Sequence, residues 1–107
     1  MSNTYVNAKV DLTTTNITTL YTCAALTTGI VKSIIVSEDS NNADTITLTI
    51  TDASSAVFSL YKTKAVSANG TVELLTAPLV VQASEILKVT AATANRLHVV
   101  ASILEIT

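Results

Sequence analysis

The sequence predicts an all-β fold, an antiparallel β-sandwich or jelly roll of eight to nine short strands. Three observations carry that expectation. Apolar and polar residues alternate almost throughout, as in Ile46, Leu48 and Ile50 set between Thr45, Thr47, Thr49 and Thr51. No long segment places apolar residues three and four apart, the spacing an amphipathic helix needs. Turn-forming clusters recur at short, even intervals, and Asn69-Gly70 is the strongest of them.

Each strand follows from its own pattern. Val6, Ala8, Val10 and Leu12 alternate with Asn7, Lys9 and Asp11, which gives a first strand over 5–12. The remaining strands are expected at 17–23, 30–37, 45–51, 56–63, 71–75, 79–81, 86–91 and 97–106. Thr27-Thr28-Gly29 precedes the third strand, and the polar run from Glu38 to Asn42 follows it. Asp52-Ala53-Ser54-Ser55 reads as a hairpin connection, and Ala92-Thr93-Ala94-Asn95 turns the chain into its last strand. Pro78 cannot donate to a ladder, so it belongs at an edge or corner. Ile30-Val31, Ile34-Ile35-Val36 and Leu97 with Val99-Val100 are apolar on both faces. Such strands lie centrally or have one face covered by another chain. The domain reading is residues 1–16 as an N-terminal arm or edge strand and 17–107 as the sandwich. Thr13-Thr14-Thr15-Asn16 lets the first segment leave the body. Tyr5, Val6, Ala8, Val10 and Leu12 are therefore the candidate interface, reaching another subunit by strand addition. On that reading, removal of residues 1–12 leaves a folded sandwich.

Composition narrows the function. A chain of 107 residues with 49% hydrophobic residues builds one core, and its 2 Gly and 1 Pro exclude collagen-like structure. No apolar run approaches the length of a membrane-spanning helix, and no secretory leader is expected. A net charge of −2 gives no electrostatic footprint for nucleic acid. Charged residues are only 13%, against roughly 25% in an average soluble domain. Mean hydropathy is +0.51. Threonine covers part of the surface this leaves uncharged. The rest is expected to be buried against other chains, because interface cores are depleted in charge.

Catalytic and metal chemistry find little support. Cys23 is the one cysteine and reads as a small buried hydrophobe; His98 is the one imidazole and sits mid-strand without a motif. Zinc needs three or four suitable ligands. The turn Asp39-Ser40-Asn41-Asn42-Ala43-Asp44 is the best cation candidate, but it lacks the sharp-turn glycine and bidentate glutamate of a calcium loop. Its carboxylates are expected to be solvated or paired with a neighbour. Glu73, Glu85 and Glu105 have no recognisable pairing. Aromatic residues are 4% with no Trp, which disfavours stacking platforms, so Tyr5, Tyr21, Tyr61 and Phe58 read as packing anchors. The expectation is a non-enzymatic protein with no cofactor.

Several stretches carry a resemblance. Thr18-Thr19-Leu20-Tyr21-Thr22-Cys23, followed by Thr27-Thr28-Gly29-Ile30-Val31-Lys32-Ser33-Ile34, resembles small virion structural proteins of tailed bacteriophages. The threonine alternation from Asp44 to Asp52 fits the same group. So do Gly70-Thr71-Val72-Glu73-Leu74-Leu75, Pro78-Leu79-Val80-Val81, Glu85-Ile86-Leu87-Lys88-Val89-Thr90 and the ending Ile103-Leu104-Glu105-Ile106-Thr107. Cys23-Ala24-Ala25-Leu26 departs from it in lacking Pro and Gly, and Glu85 stands where Asp is expected. The resemblance implies a capsid decoration (cement) protein without an active site, made in the host cytoplasm and located on the outer capsid surface of the virion. Its implied partners are the major capsid protein and further copies of itself, with a trimer favoured, and neither nucleic acid nor membrane. A neck or tail component of the same fold and a host-glycan-binding or metal-dependent binding module are the alternatives.

Overall fold

A computed structural model describes residues 2–107 as two antiparallel sheets. Nine strands run in order: β1 (Asn3–Asp11), β2 (Thr18–Thr22), β3 (Thr28–Glu38), β4 (Asp44–Thr51), β5 (Val57–Val66), β6 (Thr71–Glu73), β7 (Leu79–Val81), β8 (Ile86–Ala91) and β9 (Leu97–Ile106). One sheet has the order β1-β9-β3-β6, with β7 also on β3; the other has the order β2-β8-β4-β5. This is the jelly-roll arrangement, eight strands in two Greek keys, with the sixth strand split into β6 and β7. The split lies at Leu74–Pro78, where the proline supplies no amide donor. Among the described residues no helix is long and apolar enough to cross a membrane.

The alternation read from the sequence decides what lies between the sheets. Val31, Ile34 and Val36 of β3 and Val99, Ala101 and Ile103 of β9 point inward and are buried. They meet Ile46 and Leu48 of β4 and Leu87 and Val89 of β8 across the gap. Each fully buried Val, Leu or Ile contributes about 1.5–3 kcal/mol. β9 lies between β1 and β3, and β3 between β9 and the β6/β7 pair, so the two strands that are apolar on both faces are central. A polar tie crosses the core edge, where Tyr21 Oη of β2 donates to Glu105 Oε2 of β9 at 2.6 Å. Gly29 makes room for it, since a Cβ there would stand 2.9 Å from the phenol oxygen.

Strand ends differ from the sequence reading where tertiary pairing overrides a local signal. β3 begins at Thr28, because Thr28 and Gly29 pair with Ile106 and Glu105. β5 continues to Val66 through a bulge in which Thr63 takes φ 51° and donates its N–H to Thr47 Oγ1. A second bulge, at Lys32–Ser33 of β3, keeps Ile34 pointing inward. The turns use left-handed Asn41, Asn69, Asn95, Ser55 and Ser84, and neither glycine has positive φ. In the Asn69-Gly70 turn it is Asn69 that takes the left-handed position, and the Gly70 amide closes the turn on Ser67 O at 2.9 Å.

The first segment, read as an arm or an edge strand, runs beside β9 of its own chain over nine consecutive residue pairs. Residues 3–11 thus share a sheet with strands of the 17–107 segment. Leu12, placed in the candidate interface above, is buried in the core. Thr13–Asn16 turns back toward β2 and does not carry the strand away.

Candidate functional site

β1 forms one end of its sheet, and its pairing pattern shows which groups are free. Ser2 and Thr107 exchange two backbone hydrogen bonds, and the Leu12 amide donates to Leu97 O. In an antiparallel ladder the bonded pairs recur every second residue. Thr4, Val6, Ala8 and Val10 therefore bond to β9. The N–H and C=O groups of Asn3, Tyr5, Asn7 and Lys9 and the N–H of Asp11 face the open edge, while the Asp11 carbonyl accepts from Thr13 N at 3.0 Å. No register shift interrupts the nine pairs. An unbulged edge of this length is a template for another strand unless something covers it.

The outer face of the same sheet reads in rows from the register. Tyr5 lies opposite Leu104, which is opposite Ile30, which is opposite Val80. Two residues along β1 and β9, and three along β3 through its bulge, come Asn7, Ser102 and Ser33. Next is Lys9, Val100, Ile35 and Glu73, and then Asp11, His98, Ser37 and Thr71. Tyr5 is 76% exposed, Val80 53%, Ile35 41% and Val100 40%. An open depression of about 520 Å³ lies between the first and third rows, lined by Tyr5, Val6, Asn7, Lys32, Ser102 and Ile103.

The residues singled out in the sequence are distributed as follows. Val6, Ala8 and Val10 are half-buried against the chain's own core, while Tyr5 points outward with Asn7 and Lys9. Tyr5 and Phe58 are exposed and are not packing anchors; both sit on edge strands. Tyr21 is the aromatic residue that fills the core. Burial, and then its bond to Glu105, holds its phenol protonated well above the ordinary value of 10. Cys23 is buried, and its thiol donates to Thr27 O at 3.3 Å. Leu26, in the following turn, is 92% exposed with φ 61°.

His98 has a setting that no local pattern announces. Its Nε2 lies 3.2 Å from Asp11 Oδ1 and its Nδ1 3.5 Å from Asp39 Oδ2. The three residues come from β1, β9 and the turn after β3, so only the strand register brings them together. The turn from Asp39 to Asp44 is organised from within the protein. The Glu38 carboxylate accepts from Ser40 N at 2.7 Å, from the Ser40 hydroxyl, from Asn42 N at 3.1 Å and from Asn69 N at 2.9 Å. Burial raises its pKa, but these hydrogen bonds, led by Ser40, outweigh it and bring the value to about 2. Asp44 is not solvated: it is buried and accepts from Thr93 N at 3.1 Å, which fixes the turn before β9. Among the described residues no group of three His, Cys, Asp or Glu side chains is arranged to hold a metal ion. Glu73 accepts from Ile34 N and Leu75 N and from the Ser33 hydroxyl, so it pins the β3 bulge; burial opposes, and these bonds win, lowering its pKa. Glu85 lies in a turn and accepts from Gln82 N.

No protein-family model and no curated protein matches the chain. Similarity appears among solved structures. A chain in the structure of infectious bursal disease virus, Gt strain, aligns with TM-score 0.50 at 8% identity, over 98% of this chain and 30% of that chain. The CBM22-1–GH10 modules of Clostridium thermocellum endo-1,4-β-D-xylanase 10B, complexed with xylohexaose, align with TM-score 0.41 at 11% identity, over 96% of this chain and 24% of that chain. The chain thus spans under a third of the structures it resembles. The first likeness shows the β-sandwich fold, and the second is too distant to add to it.

Proposed function

We propose that this chain is a non-enzymatic virion structural protein that docks on a capsid shell through β1. Its role is that of a decoration protein on the outer surface, bridging major capsid subunits. The observation that carries this reading is the open edge of β1, nine residues long and free of bulges. A shell subunit's exposed strand would add to it through main-chain hydrogen bonds, with Tyr5 and Lys9 setting register. The pattern of residues shared with phage virion proteins supports the same role, as does a fold that recurs in viral capsids.

The test uses particles and one substitution. Asn7→Pro removes an N–H that faces the open edge, and the bonds of Val6 and Ala8 to β9 remain. The purified chain is added to shells of a tailed phage that encodes it, and bound copies are located by electron microscopy. Copies spread over the whole shell, lost with Asn7→Pro at unchanged melting temperature, support the proposal. Copies confined to one vertex make it a neck or tail component instead. Unaltered binding of Asn7→Pro rules out strand addition.

A further inference from the structure

The outer face of the five-stranded sheet is matched to itself. We propose that two copies of this chain pack these faces together about a twofold axis that runs along the strands between β9 and β3. Such a half-turn reverses the order of the strands across the sheet. It lays β1 of one copy over β6 and β7 of the other, and β9 over β3. The register then decides every contact. Lys9 of one copy meets Glu73 of the other, and Val100 meets Ile35. In the apolar row Tyr5 meets Val80 and Leu104 meets Ile30. Each contact occurs twice, as an isologous interface requires.

Charge complementarity picks this occupant. The row from Lys9 to Glu73 carries a cation at one end, an anion at the other and two exposed aliphatic side chains between them. A second copy turned about the axis matches it end to end. Hydrogen bonding keeps Glu73 ionised to lower pH than an ordinary carboxylate. Four strands about 4.8 Å apart and nine residues of about 3.3 Å each present a face of roughly 20 by 30 Å, comparable to the ~800 Å² per partner of a standard interface. Lys32, exposed in the single chain, lies near the axis in each copy and lines the open depression. Two such charges near each other make the pair reversible. The result is a pair of chains, in contrast to the trimer expected from the phage resemblance. The contact leaves the main-chain groups of the open β1 edge unoccupied but engages Tyr5 and Lys9, so its test is the oligomeric state of the chain in the absence of shells, which shell docking does not decide.

The experiment mixes two surface variants, Val100→Glu and Ile35→Lys, neither of which touches the core. Alone, each variant sets a charge against an aliphatic side chain twice per pair. Mixed in equal amounts, they form a pair in which Glu and Lys meet. Sedimentation at roughly 100 μM, well above the Kd expected of an interface this size, reads the outcome. The unmodified chain should run as a pair, each variant alone should associate at least tenfold more weakly, and the mixture should recover a 1:1 pair. Lys9→Glu mixed with Glu73→Lys repeats the test at the row ends, with melting curves to check that the β3 bulge survives. An unmodified chain that is a monomer or a trimer overturns the proposal. So does a mixture that stays as weak as its components.

Discussion

The two sheets share one core and differ in what they show outside. On the four-stranded sheet the outward positions of β4 are Thr45, Thr47, Thr49 and Thr51, and β8 adds Ile86, Lys88 and Thr90. On the five-stranded sheet the corresponding positions of β3 and β9 include Ile30, Ile35, Val100 and Leu104. Both sets are β-branched or bulky and suit an extended backbone equally well. They differ in the hydroxyl. A threonine face satisfies water at no cost to strand propensity, whereas an aliphatic face of this size asks for a cover. The low charge of the chain therefore has two separate origins. One face substitutes threonine for charge, and the other leaves aliphatic side chains exposed.

The largest expected effect comes from removing part of one sheet only. Deleting residues 1–12 takes Leu12 from the core and strips β9 of its partner along one edge. Loss of Leu12 alone costs about 2–5 kcal/mol, a large share of the roughly 5–15 kcal/mol that holds an average domain. The deleted chain should show no cooperative melt by circular dichroism. That reverses the expectation drawn from the sequence, where the segment could leave a folded body behind. A cooperative transition within a few degrees of the intact chain would restore the arm reading.

Next in size is the tie between the sheets. Gly29→Ala places a Cβ against the Tyr21 hydroxyl, so the ring must shift and its bond to Glu105 must weaken. The expected cost is about 1–3 kcal/mol, read from urea unfolding. Tyr21 also gives the alkaline limit. Its folded pKa is raised above the ordinary 10, so its contribution is complete below pH 10 and is lost as pH rises beyond it. Tyr21→Phe should be less stable at pH 7 and lose less between pH 10 and 11 than the intact chain.

The acid limit belongs to the turns that the sheets share at one end. Glu38 has a folded pKa of about 2 against an ordinary 4.5. Its contribution is therefore present above pH 4.5 and is lost as pH falls toward 2. Glu38→Gln should flatten the fall in urea midpoint across that window, with Glu73, lowered in the same direction, supplying the part that remains. An unchanged acid slope in Glu38→Gln would mean that the carboxylate does not hold the turn at Ser40 and Asn42 to the turn at Asn69.

These groups mark where the sequence stops being readable. Alternation places all nine strands, and the bounds of β7, β8 and β9 follow from it directly, because side-chain period is a local property. Which residues stand side by side is not local. Asp11, His98 and Asp39 are far apart in the chain, and only the registers of β1 and β3 on β9 gather them. Glu38 reads as one more polar residue in a turn, yet its burial between two turns makes it their common acceptor. The residues of β1 show the same division. The parity that turns Val6, Ala8 and Val10 away from Asn7 and Lys9 is visible in the sequence. That their side packs on the chain's own core, while Tyr5 faces out, needs the sheet.

The smallest expected effect on stability is also the sharpest test of the two faces. Thr49→Val with Thr90→Val replaces two outward hydroxyls of the four-stranded sheet by methyl groups of the same shape. Neither Thr49 nor Thr90 is fully buried, and Thr47, whose hydroxyl accepts from Thr63 N, is left in place. Strand propensity hardly changes, so the unfolding free energy should stay within about 0.5 kcal/mol of the intact chain. What should change is association. The altered face now resembles the aliphatic one, and light scattering should show larger species at concentrations where the intact chain is uniform. If the double variant scatters no more than the intact chain, the hydroxyls are not what keeps this sheet free, and the contrast between the faces must rest on charges such as Lys88.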